Sequence, residues 1–143
     1  MANESISHPP IDISVVAPIY NESENIQTFY DTVKGILESL TQNYEIIMVD
    51  DGSEDDSFQE ICRLSQADPR VRGLSLSRNL GHQIALTCGI DHSRGDRVIT
   101  MDADLQHPPA MIPMLVRKSQ EGFDIVYTLR QDSPDTNFFK WLT

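Results

Sequence analysis

A chain of 143 residues has room for one hydrophobic core, so it is neither a peptide nor a repeat array. Its 22 Asp and Glu against 11 Lys and Arg leave a formal net charge of −11, which repels a phosphate backbone and an anionic membrane alike and excludes nucleic acid as a partner for the surface as a whole. The acid is spread along the chain and a solvated surface explains most of it, but carboxylates grouped at the ends of apolar runs require a separate explanation.

Residues 1–10 carry neither a basic region nor an apolar core, so they read as a flexible N-terminus rather than a secretory signal. No run approaches the roughly 20 apolar residues of a membrane span. Cys62 and Cys88 form no Cys-x-x-Cys pair and each falls in a helical apolar pattern, which predicts buried, reduced thiols in a reducing cytoplasm.

From Ile11 onward, apolar runs alternate with helical patterns, the mark of an α/β domain with a mainly parallel sheet and helices on both faces. The first strand spans Ile11 to Ala17 and stops at Pro18, which cannot donate to a ladder. A helix follows from Ser23, with Ile26, Phe29, Tyr30, Val33, Ile36, Leu37 and Leu40 on one stripe. The second strand is Tyr44 to Val49. Ser53 with Asp56 resembles a capping box ahead of a short helix whose inner face carries Phe58, Ile61, Cys62 and Ser65. The third strand, Val71 to Leu76, leads through Ser77-Arg78-Asn79-Leu80-Gly81 into a helix packed by Ile84, Ala85, Cys88 and Gly89. The fourth is Arg97 to Met101. Pro108 and Pro109 suit a helix start, with Pro113 tolerated in its first turn, and Asp124 to Thr128 reads as a fifth strand. Beyond it, Asn137-Phe138-Phe139-Lys140-Trp141-Leu142-Thr143 stops in mid-pattern, so the natural protein is expected to continue.

Tyr20-Asn21-Glu22, Asp50-Asp51, Ser77-Arg78, Asp102 to Gln106, and Arg130 all follow strands directly. Parallel strands with right-handed crossovers bring such ends to one edge of the sheet, where open sheets bind ligands. Mg²⁺ and Mn²⁺ take oxygen ligands, typically one or two carboxylates, with phosphates and water completing the shell. Asp102 and Asp104 suit that chemistry, one as a direct ligand and the other orienting it or contacting a nucleotide; capping the following helix is the alternative. If strand geometry persists, Asp104 and Gln106 share a face. Asp50-Asp51-Gly52-Ser53 offers acceptors for base N–H groups or ribose hydroxyls, or else makes a plain turn with a helix cap. Arg78 and Arg130 are forked donors suited to phosphate, with a solvated side chain as the competing reading. His8, His82, His92 and His107 lack a metal-ligand spacing and receive no metal or base role.

The strings Val15-Val16-Ala17-Pro18-Ile19-Tyr20-Asn21-Glu22, Val49-Asp50-Asp51-Gly52-Ser53, Ser77-Arg78-Asn79-Leu80-Gly81-His82 and Met101-Asp102-Ala103-Asp104-Leu105-Gln106-His107-Pro108-Pro109 occur in order. As a set they resemble a family-2 glycosyltransferase, and more narrowly the enzymes that load a sugar onto a dolichyl or undecaprenyl phosphate. The resemblance implies a Rossmann-like nucleotide-sugar-binding half of an A-type glycosyltransferase over residues 11–130, with 131–143 opening an acceptor-side, membrane-proximal segment. It implies that Pro18, Tyr20, Glu22, Asp50, Asp51 and Arg78 serve the nucleotide sugar, with Asp50 facing the uracil or guanine ring. Asp102 would contact ribose or phosphate, Asp104 and Gln106 would bind the metal, and Arg130 would meet the acceptor or diphosphate phosphates, making Asp102, Asp104 and Arg130 the catalytic set. Ala110 departs from the pattern, standing where relatives often carry an acid after Pro-Pro. The full-length protein would work at the cytoplasmic face of the membrane, touching it only through the part after Thr143.

The chemistry so implied moves a sugar from a nucleotide diphosphate donor to a polyprenyl phosphate, with Mg²⁺ or Mn²⁺ neutralising the departing diphosphate. The acceptor phosphate attacks the anomeric carbon from the opposite face and inverts it. A phosphate monoester has its second pKa at about 6 and needs no strong base, whereas a hydroxyl on a glycan or protein needs a carboxylate base. Two rivals remain: a non-catalytic nucleotide-sugar-binding fragment, and Mg²⁺-dependent phosphoryl transfer with Asp102 as nucleophile. The absence of Gly-x-Gly-x-x-Gly and Walker loops counts against dinucleotides and ATP.

Overall fold

The computed structural model describes residues 10–106 and 108–129. The chain divides into two units after Pro113. The first holds β1 (Ile11–Ile19), α1 (Ser23–Leu40), β2 (Tyr44–Asp50), α2 (Ser57–Ala67), β3 (Val71–Ser75), α3 (His82–Asp91) and β4 (Gly95–Thr100), followed by a 3₁₀ turn, Pro109–Met111. The helix α4 (Ile112–Gln120) begins there and runs into the second unit.

The sheet has four strands in the order β3-β2-β1-β4, every pair parallel. All seven residues of β2 are buried, as expected of a central parallel strand covered on both faces. α2 packs on one face, where Ile61 lies against Gly73 beside Met48 of β2, and α1 packs against α2. α3 packs on the other: Ala85 joins Val16, Ile47 and Val49 in a buried cluster, and Gly89 lets the helix backbone approach the side chains of Val16 and Val49. A Cβ on Gly89 would meet Val16 Cγ1 at 2.3 Å. The α/β sheet with helices on both faces therefore stands as expected.

One buried charge stitches the N-terminal half of the sheet. Glu45 on β2 is 1% exposed and accepts from Ser14 Oγ at 2.7 Å, the backbone N–H of Arg94 at 2.8 Å, and the guanidinium groups of Arg72 at 3.0 Å and Arg94 at 2.9 Å. Burial pushes its carboxyl upward, but donors from Ser14, Arg94 and Arg72 outweigh that and hold its pKa below the ordinary value.

Several expectations need correction. Pro18 does not end β1: the strand runs to Ile19, with Pro18 opposite Val49 of β2. The ladder to β4 stops at Val16 opposite Thr100, where Met101 N–H donates to Val16 O at 3.1 Å. In a parallel ladder alternate residues bond to the same neighbour, so the N–H that Pro18 lacks would have faced the β4 side, where pairing has already ended. The capping box at Ser53 does not form; α2 starts at Ser57 after Asp56 without a side-chain cap, and Ser53 bonds elsewhere. Cys62 and Cys88 are free thiols, but both are only partly buried.

In the second unit, Asp124 to Thr128 forms no strand. Ile125 is 82% and Tyr127 74% exposed. Strand-forming composition yields a strand only where a neighbour offers a ladder, and none does among the described residues. Among the described residues, no helix is long and apolar enough to cross a membrane.

Candidate functional site

Because the strands are parallel, the segments after β1, β2, β3 and β4 emerge at one edge of the sheet. The connections step outward from β1 through β2 to β3, then cross back to place β4 on the other side of β1. The gap between the C-terminal ends of β1 and β4 is therefore the point where strand order reverses, the position at which open sheets leave a crevice. Pro18 and Tyr20 border it on the β1 side and Asp102 on the β4 side.

The first two loops are fastened together. Asn21 adopts a left-handed conformation (φ 51°), which asparagine tolerates better than most residues. Its N–H donates to Ser53 Oγ at 3.0 Å, while its Oδ1 accepts the N–H of Glu54 at 2.8 Å. Glu22 N–H donates to Ser57 Oγ at 2.9 Å and Ser23 N–H to Asp55 Oδ2 at 3.1 Å. The first turn of α1 is thus capped from the neighbouring loop, because no side chain of its own does so. Burial pushes Asp55 upward, but donors from Ser57 and Ser23 prevail and bring its pKa down to about 2. The Glu22 carboxylate accepts from Asn25 Nδ2 at 2.6 Å, and Tyr20 is 43% exposed.

Asp50 and Asp51 are both buried and serve different surroundings. Asp50 accepts from Ser53 N–H at 3.2 Å and Ser75 Oγ at 3.3 Å. It lines an open cleft of about 390 Å³ with Gly52, Phe58, Ser75, Ser77 and Arg78. Asp51 turns toward the loop after β3, where its two oxygens accept the N–H groups of Leu80 at 2.7 Å and Gly81 at 3.1 Å. Gly52 (φ +69°) lies against the backbone of Arg78 and Asn79, so the turn after β2 seats the third loop directly.

Beyond β4, Asp102-Ala103-Asp104-Leu105 is a turn, not a continued strand, and Leu105 sits in the left-handed region at φ 61°. Strand alternation therefore does not relate Asp104 to Gln106. They are neighbours because Asp104 Oδ1 accepts the N–H of Gln106 at 3.0 Å, an Asx-type closure. Asp102 is half-buried, and its Oδ1 lies 3.7 Å from His82 Nε2. Among the described residues no group of three or more His, Cys, Asp or Glu could hold a metal. The donors present, the Asp104 carboxylate and the Gln106 side-chain carbonyl, are hard oxygens that fit a cation whose shell is completed by phosphate and water.

The structure thus brings Asp50 and Arg78 to one cleft, places Pro18, Tyr20 and Glu22 at and just after the end of β1, and links Asp51 through Leu80, Gly81 and His82 to Asp102. Arg130 lies outside the described residues, as do 1–9, His107 and the segment 131–143. Sequence reasoning did not single out Asp55 or Ser57, read Ser53 as a turn or helix-cap residue, and gave Asn21 and His82 no role of their own. Only the clustering of Asn, Ser and Asp just past two strands hinted at side chains that bond backbone donors.

The profile of glycosyl transferase family 2 matches residues 14–143. An uncharacterized glycosyltransferase of Bacillus subtilis, YkcC, is 41% identical over 130 residues, which cover 91% of this chain and 40% of that protein. The chain thus spans less than half the length of this relative. Glucosyl-3-phosphoglycerate synthase of Mycobacterium tuberculosis, solved with Mn²⁺, UDP and glucosyl-3-phosphoglycerate, superposes with a TM-score of 0.59 at 30% identity, over 76% of this chain and 39% of its own. The mannosyltransferase PcManGT of Pyrobaculum calidifontis, solved with GDP-Man and Mn²⁺, shares the fold at a TM-score of 0.55 and 22% identity, over 67% of this chain and 28% of its own.

Proposed function

The chain belongs to glycosyl transferase family 2, and from that we propose that its strand ends bind a nucleotide diphosphate sugar, UDP- or GDP-linked, beside Mg²⁺ or Mn²⁺ and pass the sugar to a polyprenyl phosphate. The observation that carries this reading is the Asp102-Ala103-Asp104 turn at the end of β4, across the strand-order reversal from Pro18 and Tyr20. The Mycobacterium tuberculosis synthase, a hexosyl-transferring relative of the same fold, supports it by its bound Mn²⁺ and UDP.

In this reading Asp50, with Phe58 and Arg78 around it, takes the base or ribose, while Pro18, Tyr20 and Glu22 wall the nucleotide pocket. Asp51 acts by shaping the 77–81 loop, since both its oxygens are engaged there. Asp102 meets the ribose or phosphates, Asp104 and Gln106 hold the cation, and Arg130 meets the phosphates of donor or acceptor. The cation supplies charge neutralisation for the departing diphosphate. An acceptor phosphate is anionic near neutral pH without help, so direct attack with inversion at the anomeric carbon needs no base from this half of the site. Membrane contact belongs to the rest of the full-length protein.

The test is calorimetric titration of the chain with UDP- and GDP-sugars, with and without Mn²⁺, for the wild type and Asp104→Asn. Metal-dependent binding that vanishes in the variant supports the assignment; identical affinities would sink it. In the full-length protein, transfer to a polyprenyl phosphate distinguishes that acceptor from a hydroxyl acceptor. Donor binding without transfer to any acceptor would leave a binding module.

A further inference from the structure

We propose that the cleft floored by Asp50 selects uracil over guanine, so that the sugar arrives as a UDP-sugar. The proposal rests on the nucleotide-sugar reading above and narrows it to one base.

Asp50 is the buried acceptor of the cleft, 3% exposed, and its carboxylate is oriented from both sides. Oδ1 accepts the N–H of Ser53 at 3.2 Å from the turn after β2, and Oδ2 accepts from Ser75 Oγ at 3.3 Å at the end of β3. An ionised carboxylate offers about four acceptor positions, so Asp50 keeps capacity for an N–H of a ligand. The other carboxylates of the lining are poorer readers of a base: Asp55 has its two oxygens engaged by the N–H groups of Ser57 and Ser23, and Glu54 is exposed to water.

Donors flank this acceptor. On the β2 side, Ser53 Oγ accepts the N–H of Asn21 at 3.0 Å and donates to no described residue, which leaves its hydrogen to give. On the β3 side, the side chains of Ser77 and Arg78 line the cleft and make no hydrogen bond or ion pair among the described residues. The stem of Arg78 nevertheless starts from a fixed point, because Gly52 at φ +69° lies against its backbone and Asp51 holds the N–H groups of Leu80 and Gly81 just downstream.

Uracil presents an acceptor, a donor and an acceptor along its pairing edge: O2, N3–H and O4. A buried carboxylate between two sets of donors is the complement of that order. Guanine presents O6, N1–H and a 2-amino group. With its N1–H on Asp50, the amino group faces a donor on whichever side it falls, and a polar group buried without a partner counts against binding. Phe58, 37% exposed in the first turn of α2, adds an aromatic surface to the same cleft, and stacking on it is open to either base.

The experiment is calorimetric titration in Mn²⁺ with UDP, GDP and N3-methyl-UDP, for the wild type, Arg78→Ala and Phe58→Ala, with thermal unfolding to show that each variant is folded. UDP should bind at least about tenfold more tightly than GDP. N3-methyl-UDP should lose a similar factor, because the methyl group replaces the proton given to Asp50; this arm uses the unaltered chain. Arg78→Ala should weaken UDP more than GDP, and Phe58→Ala should weaken the two alike. Equal or tighter binding of GDP, full affinity for N3-methyl-UDP, or an equal loss of UDP and GDP in Arg78→Ala would overturn the selection of uracil by this cleft while leaving the Asp104→Asn result to stand for the function. If the unaltered chain bound neither nucleotide, both would fall together.

Discussion

Gly52 and Arg78 approach so closely that a Cβ on the glycine would lie 2.4 Å from the carbonyl carbon of the arginine. The contact is backbone to backbone, so no rotamer change relieves it, and it joins the turn that ends β2 to the loop that follows β3.

Gly52→Ala should therefore be among the most damaging small substitutions in the chain. It adds a left-handed conformation at φ +69° to a steric conflict with a peptide unit. A loss of about 2–4 kcal/mol is expected, from the strain and the overpacking together. Urea unfolding measures it, and a loss under 0.5 kcal/mol would show that the two loops separate at little cost.

The Asp51 carboxylate satisfies two backbone donors, of Leu80 and Gly81. Asp51→Ala should cost about 1 kcal/mol, because two partly exposed backbone donors lose their acceptor. The accompanying sign is faster amide hydrogen exchange at residues 80 and 81 while exchange within β1 and β2 stays slow. Uniform acceleration over the whole sheet would mean that the carboxylate supports the fold globally and not this loop.

Glu45 faces the opposite test. Removing it leaves the Arg72 and Arg94 guanidinium groups and Ser14 without their shared acceptor. Truncating the buried side of a charge network is expected to cost up to about 3 kcal/mol here, since Arg72 and Arg94 keep partial access to water, so the urea midpoint of Glu45→Ala should fall clearly by circular dichroism, and an unchanged midpoint would remove Glu45 from the account.

Acid should weaken the chain by a calculable route. Burial raises Asp55, but donors from Ser57 and Ser23 take its pKa to about 2. At Asp68 burial also raises, while Arg70 and Tyr30 hold the carboxyl well below the usual carboxylate range. Both folded values lie below an unfolded value of about 3.9. Their stabilisation is complete above that value and is lost as pH falls toward the folded ones. Urea midpoints should be level with respect to these groups above about pH 5 and fall from pH 4 to 2, with a shallower fall in Asp55→Asn. An equally steep fall in that variant would remove Asp55 from the account.

The architecture was legible because apolar runs and helical stripes are local signals: α1 begins at Ser23 as its stripe suggests, and the fully buried β2 announces itself as an unbroken apolar run. Proline misled at position 18, where the rule against a missing donor is true of a paired edge and silent on which edge is paired. The fifth strand misled for the converse reason: Ile125, Tyr127 and Leu129 have the composition of a strand without a neighbour to bond. At the site, the acidic tips were visible because carboxylates after apolar runs are unusual. The partners of Asn21, Ser53 and His82 were not, because they lie 32 positions away or, for His82, on the loop after another strand, and depend on how loops meet in space.

Pro18 also has a consequence for what the sheet cannot do. The next rung between β1 and β4 past Val16 would draw on an N–H at position 18, and the ring removes it. The two strands are barred from zipping further, whatever occupies the space between them. The end of this ladder is thus set by the backbone itself, before any side chain is counted.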